Sequence, residues 1–175
     1  LVRTIGEPPP LTPKLFLTGR DAACERLKEI VAGTSVQLKL ETHFPDQVVD
    51  FVSAYLTDLD TDTRADTAGR WLVVSSVDAW NTLASPGEHL ILVADPILDL
   101  SGGIGTRLIQ KARRYGHAVI FGGPAGGIPD PASVLLGSPR PEQVREALEQ
   151  LGYSSERART LAQKSGGNLG SLLRC

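Results

Sequence analysis

Hydrophobic and polar positions along the chain predict strands and helices in alternation. The predicted strands are 35–41, 71–75, 89–94, 117–121 and 133–136. The first alternates apolar and polar residues, which is typical of a half-buried strand, here expected towards an edge of the sheet. The third and fourth are continuous apolar runs, typical of strands covered on both faces. The last is short and is predicted to be an edge strand.

Apolar residues at helical spacing predict six helices in the same interval and beyond it. They lie between Thr18 and Gly33 and at 46–59, 77–83, 105–115, 141–151 and 154–164, and Asn168 is predicted to cap a last helical turn after them. Thr18 is predicted to cap the first helix, with Asp21 in a first turn where the helix dipole favours it, and Gly33 ends it. The preceding residues 14–17 are predicted as a short strand or staple. Pro141 suits the first position of its helix.

This alternation predicts an α/β fold with a mostly parallel sheet and helices on both faces, Rossmann-like or P-loop-like. We expect residues 1–14 to be a proline-rich linker, 15–138 to be the α/β core, and 139–175 to be a small three-helix, lid-like subdomain. The chain begins at Leu1 and contains no methionine, so we expect it to be a fragment of a longer protein.

Composition narrows the classes of function. Hydrophobic residues make up 41% and charged residues 22% of the chain, values of an ordinary globular domain. The net charge of −2 gives no general attraction to nucleic acid or to anionic membranes. No apolar run approaches the roughly 20 residues that cross a bilayer, and the N-terminus lacks the apolar core of a secretion signal. We therefore predict a cytoplasmic protein without a membrane or nucleic-acid partner.

Asp95 is the first candidate for chemistry, because it directly follows the apolar strand HLILVA. Ligands of parallel sheets bind at the carboxyl ends of the strands. An acidic residue there matches a Walker B aspartate, which holds the magnesium ion of a nucleotide. The alternative, which we favour, is a turn residue, since a strand followed by Asp-Pro is a common turn signal.

The segment SGGIGTRLIQKARR, residues 101–114, is the second candidate. Glycines at the start of a helix leave backbone N–H groups open to an anion, and Arg107 can assist. No lysine follows the glycines, so this is not a Walker A loop, and the GxGxxG spacing of a dinucleotide site is absent. The favoured alternative is a flexible loop that leads into a helix.

The loop GGPAGGIPDP, residues 122–131, is the third candidate, either as an anion nest or a partner contact, or, as we favour, as a stiff surface connection. A nucleophile-and-base site is not indicated. The three histidines are scattered without metal-ligand spacing, and there is no Gx(S/C)xG elbow.

The order of four segments is similar to that of the STAND class of P-loop NTPases, signalling relatives of the AAA+ ATPases. These segments are LFLTGRD, HLILVAD, HAVIF and SGGNLGSLLR. In that class they correspond to a GR box, the Walker B strand, the sensor strand and the small helical domain. The resemblance implies ATP or ADP with magnesium as the ligand. The expected contacts are Asp95, Gly102, Gly103, Thr106 and Arg107, with Arg20 and Asn168 as accessory residues.

The phosphate loop of that class is missing. There is no GxxxxGK(S/T), and the position after the first strand reads LETHFPDQVVDF. We therefore predict a non-catalytic regulatory or interaction domain of a larger signalling protein, with flanking domains and further copies of the chain as partners. The alternatives are an ATPase whose phosphate loop is atypical or supplied from elsewhere, and a small-molecule enzyme that uses residues 122–127.

The tail carries a second resemblance. Residues 142–173 are similar to a UBA-type three-helix motif, with LGY where that family has a Met-Gly-Phe loop. In that family the loop and the last helix bind ubiquitin, so the resemblance implies a protein-binding tail. A small helical lid has the same apolar spacing, and we favour that interpretation.

Overall fold

The computed structural model describes residues 13–42, 44–61, 70–98, 100, 102–124, 132–137 and 139–166. Within them the chain forms a five-stranded sheet. The strands are β1 (Gln37–Glu41), β2 (Arg70–Val74), β3 (Leu90–Ala94), β4 (Ala118–Gly123) and β5 (Ser133–Leu135). They lie in the order β2-β3-β4-β1-β5, and every neighbouring pair is parallel. The predicted α/β fold is confirmed.

Helices connect or flank these strands. A 3-10 helix, Pro13–Leu17, precedes α1 (Asp21–Ala32), α2 (Gln47–Thr61), α3 (Val77–Leu83), α4 (Gly103–Arg114), α5 (Pro141–Gln150) and α6 (Ser155–Ser165). Gly33 ends α1 in the left-handed conformation, with φ of 79°. Pro141 opens α5, as predicted. Ser154 caps α6, since its hydroxyl accepts from the amide of Arg157.

The helices cover both faces of the sheet. One core cluster joins α1 and α2 to β1, β3 and β4 around Leu27, Phe51 and Ile120. On the opposite face, a second cluster joins α3 and α4 to β2, β3 and β4 around Trp80 and Leu92. The Trp80 indole N–H donates to the carbonyl of Leu108 at 2.9 Å and so connects α3 to α4. The sheet is therefore the middle layer of three.

The two C-terminal helices form a subdomain against the flank of the core. Their apolar residues, including Leu148 and Leu161, pack on Leu15 and Phe16 of the 3-10 helix and on Ala54 of α2. The third helix of the predicted lid falls in residues 167–175, outside the described part of the chain. The two described helices thus pack mainly on each other and on the 3-10 helix, which in turn packs on α2.

Two local predictions about α1 are wrong. Residues 14–17 belong to a 3-10 helix, because the amide of Thr18 donates back to the carbonyl of Leu15. Thr18 therefore lies in a turn, and α1 begins at Asp21 with Arg20 as its N-terminal flanking residue. The preference of Thr18 as a helix cap therefore does not determine where α1 begins. The helix begins directly after Arg20, whose side chain is buried by the tertiary structure.

β1 was predicted towards an edge of the sheet; it is the second strand from one edge and not the edge strand itself. β1 pairs with β4 on one side and β5 on the other. Its alternation has another cause. Leu38 and Leu40 are buried under α1, whereas Gln37, Lys39 and Glu41 are half-buried on the face opposite. Within the described residues, α3 and α4 cover that face over β2, β3 and β4, so the polar side chains of β1 border a groove.

Candidate functional site

A cleft lies where β3 and β4 end. The connection from β1 leads to α2 on one face of the sheet, and the connection from β3 leads to α4 on the other. Between them, two adjoining cavities share the last two residues of β4, Gly122 and Gly123, and the next residue, Pro124. Leu100 and Phe121 also line both cavities. We call them the α2-side cavity and the α4-side cavity. Crevices between oppositely directed connections are the usual ligand sites of parallel sheets.

The α2-side cavity has a volume of about 190 Å³. Its walls are mainly apolar and come from the beginning of α2 with the residues before it, from the end of β3, and from the β3–α4 loop: Pro45, Val48, Ala94, Pro96 and Leu98. Asp95 is the one acidic residue among the described residues of its lining. A single carboxylate in apolar walls favours a ligand group that donates hydrogen bonds.

Asp95 organises the turn that follows β3. Its side-chain Oδ1 accepts from the amide of Ile97 at 3.0 Å, and its carbonyl accepts from the amide of Leu98 at 2.8 Å. Its own amide donates to Val74 at 2.9 Å. These contacts are those of a turn residue, which is the interpretation that we favoured from the sequence. Asp95 also lines the α2-side cavity, where a ligand can reach it.

The α4-side cavity is larger, about 420 Å³, and has a different chemistry. Leu100, Ile109 and Phe121 give it an apolar floor. Polar groups come from β1 and α4: Gln37, Lys39, Thr106, Gln110 and Arg113. Among the residues that the structure describes, no carboxylate belongs to this lining. The polar wall consists of two cations, two amides and a hydroxyl, a composition that suits an anion.

Two glycines without side chains, Gly122 and Gly123, lie between the two cavities. A Cβ on Gly122 would lie 2.6 Å from Cγ2 of Val48, and one on Gly123 would lie 2.9 Å from Cε of Lys39. Both contacts are closer than real Cβ atoms make, so glycine allows α2 and Lys39 to approach β4 from opposite sides. The rest of the predicted 122–131 loop, from 125 onwards, lies outside the described residues.

The predicted site residues are only partly brought together. Asp95 lines the α2-side cavity and Thr106 lines the α4-side cavity. Gly102, Gly103 and Arg107 are exposed at the start of α4 and line neither. Asn168 falls outside the described residues.

The contacts of Arg20 indicate a role in stabilising the fold. It is 3% exposed, and its guanidinium donates to the carbonyls of Phe16 and Gly137, each at 3.0 Å, and to the side chain of Gln47. Its guanidinium carbon lies 5.6 Å from the ring centroid of Phe51. Burial lowers the pKa of Arg20 to about 10, so it stays charged at neutral pH. Arg20 holds the start of α2, next to Val48 in the cleft wall.

The beginning of α2 stands where a phosphate loop would be expected, yet its amides are already used. The amide of Gln47 donates to Phe44 at 2.9 Å, and that of Val48 donates to Pro45 at 3.2 Å. Two carboxylates, Asp46 and Asp50, lie in the same turn. Burial, together with the charge of Asp46, raises the pKa of Asp50. The beginning of α2 is therefore unfavourable for binding a phosphate group, because its amides already have acceptors and two carboxylates lie beside them.

Replacing Asp46 with asparagine is expected to lower the pKa of Asp50 towards its ordinary value. The raised pKa means that the native state binds more protons than the unfolded state, so this group's contribution to stability falls as pH rises through the Asp50 titration. The variant should gain up to about 0.5 kcal/mol at pH 7 and lose that advantage at acid pH. NMR titration of the Asp50 carboxyl carbon and urea unfolding at both pH values measure this; an unchanged Asp50 midpoint would contradict it.

Sequence reasoning missed most of the α4-side cavity. Its polar wall combines residues from β1 and α4 that are far apart along the chain. Arg113 and Gln37, for example, are 76 positions apart but hydrogen-bond at 3.2 Å. The sequence feature that could have indicated this cavity is the polar face of β1 with Gln37 and Lys39. We had explained that polar face by a position towards the edge of the sheet.

Comparisons with known proteins leave the chain without an assigned family. No protein-family model matches it, and no curated protein is significantly similar to it in sequence. In the described part of the chain, no group of three or more His, Cys, Asp or Glu side chains is placed to hold a metal ion. No described helix has the length and apolar character needed to span a membrane.

Proposed function

We propose that this chain is a regulatory, non-catalytic domain of a larger signalling protein, and that a nucleotide or a similar small organic anion binds in its cleft without being hydrolysed. The observation that carries the proposal is the pair of adjoining cavities at the end of β4. The larger alone has about 420 Å³, within the roughly 300–1,000 Å³ of small-molecule sites. This role is of the kind implied by the resemblance to STAND proteins.

A regulatory role is supported by the contacts of α2. One end of this helix contributes Val48 to the cleft wall, and its middle contributes Ala54 to the cluster with α5 and α6. Arg20 joins the start of α2 to the segment before α5 through Gly137. A ligand against Val48 thus acts on the same helix as the C-terminal subdomain, through which flanking domains can respond.

The alternative function is an ATPase with an atypical phosphate loop. Asp95 in the α2-side cavity favours it, since the residue stands at the carboxyl end of β3 as a magnesium ligand would. The occupied amides of Gln47 and Val48 and the neighbouring carboxylates oppose it. Binding without hydrolysis therefore has the better support.

The UBA-like alternative has less support. The LGY loop between α5 and α6 is partly occupied within the chain. Leu151 and Tyr153 pack against the cluster of α5, α6 and the 3-10 helix, and the amide of Tyr153 donates to Leu148 at 3.1 Å. A partner that used this loop would have to displace those contacts.

Calorimetric titration with Mg-ATP, Mg-ADP and magnesium alone tests the proposal. We expect nucleotide binding without phosphate release. Thr106→Phe should abolish binding, because the new ring fills the α4-side cavity, whereas Arg107→Phe, its exposed neighbour outside the lining, should not. Binding that is equal in both variants would contradict a ligand in this cleft.

The same titration separates the functions. Release of phosphate that Asp95→Asn abolishes would establish the ATPase. Absence of binding at about 1 mM nucleotide, an affinity weaker than about −4 kcal/mol, would contradict nucleotide sensing and leave a role in contacts between domains.

A further inference from the structure

Lys39 forms no ion pair with any residue in the described part of the chain. It is half-buried on β1, and the end of its side chain lies over Gly123. Among the described residues, no carboxylate lies within 4.0 Å of its ammonium group. Glu41 follows on the same face of β1 but is not part of the cavity lining. An ammonium group without an ion-pair partner at a cavity wall attracts an anionic group of a ligand.

Arg113, on α4, supplies the second cation of the lining. It is oriented by one NH1 hydrogen bond to Oε1 of Gln37 at 3.2 Å, and this partner is neutral. Arg113 is exposed, and it forms no ion pair with a described residue that would neutralise its charge. The planar fork of a guanidinium can bind two oxygens of a phosphate or carboxylate group.

We infer that the α4-side cavity binds the phosphate or carboxylate group of a small organic anion between Lys39 and Arg113, without magnesium. The flat or apolar part of the ligand lies on Phe121, Leu100 and Ile109, and Gln110 and Thr106 offer it hydrogen bonds. This inference rests on the proposed function, since it specifies how the cleft holds its ligand. In this inference the anion does not bind at the start of α4, which is the position that the glycine-rich segment of the sequence had indicated.

The geometry of α4 explains that change. Residues 106, 110 and 113 share one side of the helix and line the cavity, because positions three and four apart are neighbours on a helix. Arg107 and Arg114 do not belong to the lining and are exposed. Two basic residues of the same helix thus serve as controls for the one that lines the cavity.

The test is titration of the whole chain with AMP, with benzoate and with pyrophosphate, each without magnesium. NMR signals of the Lys39 ammonium and the Arg113 guanidinium report on the site, and calorimetry gives affinities. We expect AMP to bind saturably and to shift both signals. Lys39→Met and Arg113→Gln should each weaken binding at least about tenfold, the effect of losing one charge-assisted hydrogen bond. Arg114→Gln should change it less than about twofold.

The probes also identify the chemistry. Binding of AMP but not benzoate assigns a phosphate, the reverse assigns a carboxylate, and pyrophosphate binding shows that the anion alone suffices. Urea unfolding confirms that each variant is folded. Addition of magnesium should not strengthen AMP binding; a strict magnesium requirement would overturn the inference.

Two results distinguish failure of this inference from failure of the proposed function. If AMP binds and Thr106→Phe blocks it, but Lys39→Met and Arg113→Gln have no effect, the cleft is the site and the assigned anion contacts are wrong. If none of the three probes shifts the Lys39 or Arg113 signals at about 10 mM, the anion site does not exist, whatever Mg-ATP does elsewhere in the cleft.

Discussion

Arg20→Met is expected to lower the free energy of unfolding by about 3–5 kcal/mol. The methionine keeps part of the apolar stem but leaves the carbonyls of Phe16 and Gly137 without the guanidinium donor and removes one hydrogen bond from the side chain of Gln47. Each buried acceptor left without a partner costs about 1–3 kcal/mol, and the relief of burying one charge offsets only part of this. Urea unfolding at neutral pH, where Arg20 is protonated, measures the loss.

Lys28→Met is the matched control for Arg20→Met. It also removes one cation, here from within α1, but Lys28 is exposed, and its loss should change stability by no more than about 0.5 kcal/mol. Equal effects of the two variants would show that Arg20 acts only through net charge. Because Arg20 holds the start of α2, its variant should also weaken ligand binding in the cleft at temperatures where the chain is still folded.

Gly105→Ala is expected to lower the free energy of unfolding by about 3 kcal/mol, at the upper end of overpacking effects. An added Cβ would lie 2.1 Å from the carbonyl oxygen of Leu100 and 2.3 Å from its carbonyl carbon. These are backbone atoms, so no side-chain rotation relieves the overlap, and the β3–α4 loop or the first turn of α4 must move. Alanine gains up to about 1 kcal/mol in helix propensity, which is the smaller effect.

Gly103→Ala provides the control for this prediction, since it lies in the same first turn and a Cβ there meets nothing within 4 Å. It should be neutral or slightly stabilising, by up to about 1 kcal/mol. Leu100 lines both cavities, so Gly105→Ala should also reduce ligand binding, while Gly103→Ala should not. Thermal unfolding and calorimetry of the pair measure both effects; a stable, fully binding Gly105→Ala would contradict the close approach.

Local patterns in the sequence determined most of the secondary structure. The predicted helix 77–83 coincides with α3, and the apolar run 89–94 contains β3, which is buried along its whole length. Both depend on side-chain periodicity and burial within a few residues, which sequence records directly. The N-terminal boundary of α1 was less predictable, because long-range hydrogen bonds of Arg20 determine it.

The sequence by itself therefore determined the fold class, the order of the elements and the position of Asp95 at the end of a strand. Only the tertiary structure decided that β1 lies inside the sheet, that Arg20 is buried, and that Lys39 and Arg113 line one cavity. The physical reason is that periodicity reports which side of an element is covered but does not identify the element that covers it. A polar face on β1 predicts an edge strand and a ligand groove equally well until strand order separates them.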